Sequence, residues 1–429
     1  MLECRLRPFS RPGRVPLIPT PWLDRLRQVA AEYPRQFWLL FWGMLLNAIG
    51  GSMVWPFLTI YLRRELDVSL TTVTLLLTLN AVAGLAATSL AGPAVDRFGR
   101  KAAMILSLAV SGAVLGAMSL VSTLGGWQFL MIMLGGFGPI YRVAADAMVA
   151  DLVPGERRPG AYALLRMISN LGVAIGPAVG GFLVFVSYDL AFYGAAAASL
   201  AFAVLVLFFA RETLPVRLAP AAVRETTGYG PVLRDRPFLL FCAMFTLAGM
   251  AYSLMMVLLP VYAKESFAVP ESQYGFILAT NAAMVVLFQY GVTRLTVRFP
   301  TLRVLAVGSL FYAVGVGSVA LGSAFPAFLA SMILLTVGEL IMAPTSTTLT
   351  AALAPPSMRG RYMGVLTLTW GISFGIGPVL GGILSDQFAP AAIWYSGLVM
   401  GLAAALGFLL LSRSARMARV SEALPATPI

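Results

Sequence analysis

The chain of 429 residues contains no histidine and only two cysteines. Cys4 and Cys242 are too few for a disulfide framework, and their spacing matches no metal-binding motif. Without an imidazole, any proton handled near neutral pH must be carried by a carboxylate that its surroundings hold in the neutral form. We therefore expect no metal and no bound cofactor, and buried acids become the residues of interest.

Charged residues are also scarce, at 11% of the chain, whereas hydrophobic residues make up 59%. This balance excludes a soluble multidomain protein. Twelve apolar runs have about the 20-residue length that crosses a bilayer as a helix. The runs are continuous rather than alternating, so we expect helices and not the strands of a barrel. They cover residues 37–62, 70–91, 102–121, 127–150, 160–186, 191–210, 238–262, 274–293, 303–322, 327–352, 362–385 and 391–411.

The 30 basic residues are distributed unevenly about this predicted bundle. Only Arg63, Arg64 and Lys264 stand in the loops opposite the chain termini. Because cytoplasmic loops carry an excess of lysine and arginine, we expect both termini in the cytoplasm. The net charge of +12 then meets anionic lipid headgroups, and it does not indicate nucleic-acid binding.

One stretch of the chain occurs twice. Asn170-Leu-Gly-Val-Ala-Ile-Gly-Pro-Ala-Val-Gly-Gly181 shares a Gly-Pro-x-x-Gly-Gly core with Gly371-Ile-Ser-Phe-Gly-Ile-Gly-Pro-Val-Leu-Gly-Gly382, and Gly377 follows Gly176 by 201 residues. Glycines four residues apart share a helix face and let a neighbouring backbone approach, while the proline removes a helical hydrogen bond. Ordinary small-residue packing would explain one copy; two matched copies favour a pair of hinges. The hinge residues are Gly172, Gly176, Pro177, Gly180, Gly181, Gly377, Pro378, Gly381 and Gly382.

The repeat predicts an all-α membrane protein of two pseudo-symmetric six-helix bundles, at residues 37–210 and 238–411. The segment between them, 211–237, is polar, with five arginines and several prolines, and is typical of a cytoplasmic linker. Basic tails at 1–36 and 412–429 complete the predicted organisation.

A charged turn is predicted between the second and third helices, at Gly92-Pro-Ala-Val-Asp-Arg-Phe-Gly-Arg-Lys101. Its two glycines permit a tight turn, and Asp96 stands there among three cations. A basic loop that binds lipid phosphates is the simpler interpretation. The residues of interest are Gly92, Asp96, Arg97, Gly99, Arg100 and Lys101.

This turn resembles the loop between helices 2 and 3 of the major facilitator superfamily, Gly-x-x-x-Asp-Arg-x-Gly-Arg-Lys, and every defined position matches. The resemblance extends over residues 37–411 and implies a transporter with a cavity between its two bundles. It also implies that Asp96 caps a helix of the other half in the outward-facing state. Arg100 would pair with an acid at the end of the fourth helix, where Asp151 stands.

Few charged residues lie deep in the predicted helices. Glu339 is near the middle of the tenth, where an acid is costly, so we expect it to face a wet cavity or to bind a proton. Arg142 and Asp146 lie four residues apart, on one face of the fourth helix. They are expected to form a structural cluster with Arg166, although Arg142 could instead meet Glu339 across the cavity. Further cavity candidates are Asn47, Trp55, Tyr141, Tyr252 and Asn281.

The Gly-Pro-x-x-Gly-Gly core and Gly338-Glu339 before Pro344 resemble the drug/proton exporters of the same superfamily. The resemblance implies proton-coupled export of hydrophobic or cationic compounds by a monomeric, non-enzymatic protein of the bacterial plasma or inner membrane. Two alternatives stay open. A carrier of a small metabolite or organic anion would suit Arg142, and a non-transporting membrane sensor is the more distant possibility.

Overall fold

A computed structural model describes residues 32–154, 157–214, 229–355 and 358–414, together with Met417. Twelve helices in this part of the chain are long and apolar enough to cross a membrane. They are α1 (Arg35–Leu66), α2 (Leu70–Phe98), α3 (Arg100–Leu120), α4 (Leu124–Leu152), α5 (Arg158–Val186), α6 (Tyr188–Phe209), α7 (Arg236–Phe267), α8 (Glu271–Thr296), α9 (Thr301–Leu321), α10 (Phe325–Leu353), α11 (Arg359–Gln387) and α12 (Ala392–Leu411). The predicted all-α membrane fold is confirmed.

The helices form because each apolar run satisfies its own backbone hydrogen bonds, which a bilayer requires. Several extend beyond the apolar run by a turn or more, since helical bonds persist into the interfacial region. The predicted tails and the predicted linker at 211–237 lie in part outside the described residues, and that division of the chain stays a prediction. A single helical turn, Gly230–Leu233, precedes α7.

The first six helices pack on one another in the same pattern as the last six. α1 packs against α5 and α6, as α7 packs against α11 and α12. The α3–α6 and α2–α4 contacts recur as α9–α12 and α8–α10. Between the halves, α5 lies against α8 and α11 against α2, which is again a matched pair. The predicted pair of pseudo-symmetric six-helix bundles is therefore confirmed.

One hydrogen bond shows how closely the two halves correspond. The Ser52 hydroxyl donates to the carbonyl of Gly172 at 3.1 Å, and the Ser253 hydroxyl donates to the carbonyl of Ser373 at 3.0 Å. Both the donors and the acceptors are 201 residues apart along the chain. The repeat seen in the sequence thus extends to individual contacts between α1 and α5 and between α7 and α11.

The bundle has two distinct ends. We call the end with the start of α1, the end of α12 and the α2–α3 turn the basic end, and the opposite one the far end. At the far end, Arg63 Nε lies 2.6 Å from Glu265 Oε1, and the Asp386 carboxylate accepts the backbone N–H of Thr71 at 2.8 Å. α7 packs against the last part of α1, residues 55–66, which also lies toward the far end. The two halves are therefore closed against each other at the far end.

Candidate functional site

The charged turn between α2 and α3 is tighter than the sequence predicts. α2 continues through Gly92 and Pro93 to Phe98, so the expectation that two glycines form the turn is wrong. A proline within a helix costs hydrogen bonds only on its N-terminal side, and the helix resumes after it. Gly99 alone turns the chain, with φ +96, a region that glycine adopts without strain.

Arg100 connects two acids at the basic end. Its guanidinium lies 3.3 Å from Asp96 Oδ1 and 3.1 Å from Asp151 Oδ2, so the pairing expected with Asp151 is present. Arg100 itself is buried, whereas the Asp96 side chain is 58% exposed. In this arrangement Asp96 bonds within its own half of the molecule. We call Asp96, Arg100 and Asp151 the gating cluster.

Glu212, which follows α6, is a member of this site that sequence reasoning missed. Its carboxylate accepts the backbone N–H groups of Arg100 and Lys101 at 3.1 and 3.0 Å, and so caps the N-terminus of α3. Two further N–H groups, of Thr213 and Leu214, bond the same carboxylate. Burial raises the pKa of Glu212, but the four backbone bonds outweigh it, and the pKa lies below its usual value.

Residues at the start of the predicted linker therefore form hydrogen bonds that stabilise the gating cluster. Thr213 donates its hydroxyl to Asp151 Oδ2 at 3.0 Å, and Gln36 donates its amide to the carbonyl of Arg211 at 2.8 Å. A side chain at Gly99 would collide with the Glu212 carboxylate. Lys101 contributes its backbone N–H, and the Arg97 guanidinium lies over the Phe98 ring.

The first predicted hinge lies between two helices. Gly172, Gly176 and Gly180 face the backbone and small side chains of α1, so these glycines allow the close approach that their spacing predicts. Gly181 faces α8 of the other half, where Gly275 meets the carbonyl of Pro177. α5 is one continuous helix that includes Pro177.

The second copy makes the corresponding contacts. Gly377 faces Met250 and Ser253 of α7, and Gly381 also faces α7. Gly382 faces Thr71 of α2, which belongs to the other half, and Pro378 lies within the continuous α11. Each copy therefore lies between a helix of its own half and a helix of the opposite half. That these residues act as hinges stays a prediction.

Glu339 lies near the middle of α10 and is partly accessible. Asn281 of α8 donates its side-chain amide to Glu339 Oε2 at 2.8 Å and to Thr336 Oγ1 at 2.9 Å. The Tyr252 side chain of α7 also lies beside Glu339. No lysine or arginine of the described chain is within ion-pair distance of this carboxylate. Two neutral side chains on other helices thus adjoin Glu339, and Asn281 donates a hydrogen bond to it.

Tyr252, which lies beside this acid, belongs to a cluster of aromatic rings. The Tyr252 ring lies 5.4 Å from Tyr312, 5.6 Å from Trp370 and 6.1 Å from Phe374, measured between centroids. Tyr312, Trp370 and Phe374 are functional candidates that the sequence analysis missed. Their signal is weak, because aromatic residues in apolar helices are more often lipid-facing or core residues. We call Glu339, Asn281, Tyr252, Trp370 and Phe374 the acidic aromatic site.

The deep charges of the first half do not pair as expected. Arg142 bonds the Ser169 hydroxyl of α5 at 3.3 Å, and neither Asp146 nor Glu339 is within ion-pair distance of it in the described chain. Arg166 is exposed, so it does not join the predicted Arg142–Asp146–Arg166 cluster, whereas Arg142 and Asp146 interact electrostatically without forming an ion pair in the described chain. The sequence spacing places Arg142 and Asp146 on one face, but the Arg142 side chain extends toward α5 instead.

The five cavity candidates fall into two groups. Asn47, Trp55 and Tyr141 line a cavity of about 130 Å³ among helices of the first half, whose walls are mostly apolar. Tyr252 and Asn281 contact Glu339 in the second half. Asp146 stays partly accessible, and its backbone carbonyl accepts the Tyr162 hydroxyl at 2.9 Å.

The sequence profile described as Major Facilitator Superfamily matches residues 40–266 and 242–428. The chain belongs to the major facilitator superfamily. It is therefore a multi-pass membrane transporter, as the charged turn and the repeat imply.

Three relatives within the superfamily are 26–28% identical to this chain. An uncharacterised MFS-type transporter, YttB, of Bacillus subtilis is 27% identical over 369 residues, 86% of this chain and 92% of YttB. A Na⁺, Li⁺, K⁺/H⁺ antiporter of Planococcus maritimus is 28% identical over 358 residues, 76% and 84% of the two chains. The multidrug resistance protein MdtH of Aeromonas hydrophila is 26% identical over 396 residues, 90% and 97%.

Solved structures show the same fold. A crystal structure of a mutant nucleoside transporter, NupG, superposes with a TM-score of 0.76 at 13% sequence identity, covering 88% of this chain and 100% of NupG. At that identity the similarity establishes the major facilitator fold and carries no information on the substrate.

Proposed function

We propose that this transporter exports hydrophobic organic cations in exchange for protons, by alternating access. The observation that carries the proposal is the acidic aromatic site. Glu339 is a partly accessible acid in the middle of a membrane helix, and no basic residue of the described chain neutralises it. Such an acid must be either protonated or matched by a cationic ligand.

The surroundings of Glu339 favour an organic cation as that ligand. The rings of Tyr252, Trp370 and Phe374 offer flat apolar surfaces, and aromatic faces attract cations electrostatically. One carboxylate can hold a proton or the cation, but not both, so the two ligands compete. Competition at a site that opens alternately to each side couples their movements in opposite directions.

The names of two relatives agree with this proposal. One is a multidrug resistance protein, and another is a Na⁺, Li⁺, K⁺/H⁺ antiporter. The distribution of basic residues supports a cytoplasmic basic end and a cytoplasmic location of both termini. The arrangement closed at the far end is then the inward-facing one, in which the site binds substrate from the cytoplasm.

One observation favours a second candidate, the carriage of an organic anion. Arg142 is partly accessible at depth, and its hydrogen-bond partner in the described chain is the neutral Ser169 hydroxyl, while Asp146 interacts with it only electrostatically. An anionic substrate could bond this guanidinium directly. The two candidates differ in the charge of the substrate, which makes them separable by experiment.

Proton release from purified protein in lipid vesicles tests both candidates. We expect tetraphenylphosphonium to release protons and to accumulate against its gradient when a proton gradient is applied, whereas p-aminohippurate does neither. Glu339→Gln should abolish both effects, and Glu65→Gln, at an exposed far-end acid, is the matched control that should leave them unchanged. Release by the anion alone, with loss in Arg142→Ala, would favour the second candidate.

A further inference from the structure

The turn of α10 that carries Glu339 has an interrupted hydrogen-bond ladder. Pro344 has no N–H group, so the carbonyl of Leu340, four residues earlier, lacks its helical donor. Leu340 directly follows Glu339 and is buried, with 1% of its surface exposed. A free carbonyl at membrane depth is costly, and another donor must satisfy it.

Gln289 of α8 supplies that donor. Its side-chain amide donates to the Leu340 carbonyl at 3.0 Å, and its second N–H reaches Thr293 Oγ1 at 3.0 Å. About two helical turns away on α8, Asn281 bonds the Glu339 carboxylate. α8 is therefore attached to α10 at two points, one on the side chain of the acid and one on the backbone beside it.

We propose that Gln289 is a positioning residue for Glu339: by bonding the carbonyl that Pro344 leaves free, it fixes the open turn of α10 and directs Glu339 toward Asn281 and Tyr252. The consequence for proton–cation exchange rests on the proposed function. Without Gln289, the turn can rotate to satisfy its carbonyl elsewhere, and Glu339 then moves away from Asn281 and Tyr252. A merely structural amide would stabilise the fold without affecting the hydrogen bonds of Glu339.

The infrared C=O band of protonated Glu339 distinguishes these roles. The band is identified at acidic pH as the absorption that Glu339→Gln removes. We expect Gln289→Leu to move it to higher frequency, because a carboxyl group with fewer hydrogen bonds has a stiffer C=O bond. Gln289→Asn keeps the amide but shortens its reach, and should move the band in the same direction. It replaces the leucine variant in the test if that variant fails to fold. Gln273→Leu, at an exposed glutamine of α8, is the matched control.

Pro344→Ala provides a second test, because alanine at position 344 has a backbone N–H that can donate to the Leu340 carbonyl. In that background, Gln289→Leu should leave the band unchanged, since α10 then bonds its own carbonyl. In the native background, the same variant should slow proton-driven export of tetraphenylphosphonium about tenfold, equivalent to about 1.4 kcal/mol.

An unmoved band in Gln289→Leu, or an equal shift with and without Pro344→Ala, would overturn the role of Gln289. These infrared results do not depend on transport. If the unaltered protein does not exchange protons for the cation, the proposed function fails, while the comparison of bands still decides whether Gln289 positions Glu339.

Discussion

At the scale of single residues, the gating cluster depends on one guanidinium that bonds two acids of different exposure. The Asp151 side chain is 24% exposed and that of Asp96 is 58% exposed. Because water screens an exposed pair more strongly, the two bonds of Arg100 differ in strength. The more buried bond, to Asp151, joins α3 to the end of α4 and should contribute more to the stability of the cluster.

A double-mutant cycle measures this difference. Arg100→Ala combined with Asp151→Ala should cost less than the sum of the single variants, with a coupling of about 1–2 kcal/mol. The same cycle with Asp96→Ala should give about 0.5 kcal/mol or less. Thermal unfolding in detergent provides the free energies. Equal coupling in the two cycles would mean that Arg100 does not discriminate between the acids.

Glu212 makes the stability of the N-terminus of α3 dependent on pH. Its pKa is lower in the folded protein than in the unfolded chain, so its stabilising effect is complete above the unfolded value, about 4.3. The effect is lost as the pH falls through the lower folded value. Glu212→Gln should cost about 0.5–1 kcal/mol at pH 7, because the residue is exposed and acts as a helix cap. The difference in melting temperature from the unaltered protein should shrink below about pH 4; a constant difference would contradict this account.

At the scale of helices, the glycine stripe of α5 determines how closely that helix approaches α1. Gly180 faces the backbone of Met53, which cannot move aside as a flexible side chain could. Gly371 of α11 has open space around its Cα, so it offers a comparison within the repeat. The two glycines share a residue type but differ in what a methyl group would meet.

Replacing each glycine by alanine should therefore have different effects on stability. Gly180→Ala should force α5 away from α1 and cost about 1–3 kcal/mol through overpacking. Gly371→Ala should be neutral or stabilise by up to about 1 kcal/mol, because alanine favours the helix. Melting temperatures of the two purified variants give the comparison. A destabilising Gly371→Ala together with a neutral Gly180→Ala would show that the α1–α5 contact is not tight.

How much of the structure the sequence predicts depends on whether a feature lies within one stretch of the chain or joins distant helices. Twelve helices are predictable because each needs about 20 apolar residues to cross the bilayer. The charged turn and the Arg100–Asp151 pair can be predicted because a short motif with many defined positions marks the turn. Arg142 is different, because spacing along α4 cannot show that its side chain extends to Ser169 on α5. Glu212 and Gln289 were missed for the same reason: their partners are backbone groups of other helices, which no sequence pattern records.

At the scale of the whole molecule, the far end is held by bonds that cross between the halves. The Asp386 carboxylate of α11 accepts the Thr71 hydroxyl at 2.6 Å and the Thr71 N–H at 2.8 Å, and so caps the start of α2. The alternating access proposed above requires this end to open, which breaks these bonds. Asp386 therefore stabilises one conformation of the transporter relative to the other.

Asp386→Ala should shift the equilibrium toward the conformation open at the far end. A cysteine at the buried Thr74, in a background without Cys4 and Cys242, should react with an impermeant maleimide added from outside about tenfold faster, equivalent to about 1.4 kcal/mol. Asp189→Ala removes an exposed far-end acid and serves as the control. An unchanged labelling rate in Asp386→Ala would remove Asp386 from the closure of this end.

The matched bonds from Ser52 to Gly172 and from Ser253 to Ser373 have a historical consequence. A contact that recurs at the same place in both halves is most simply inherited from a single shorter ancestor whose sequence was duplicated within one chain. Duplication then let each copy change alone. Gly138 stands 201 residues before Glu339, so the acid belongs to only one descendant, and the ancestral pair has become two specialised partners in a single chain.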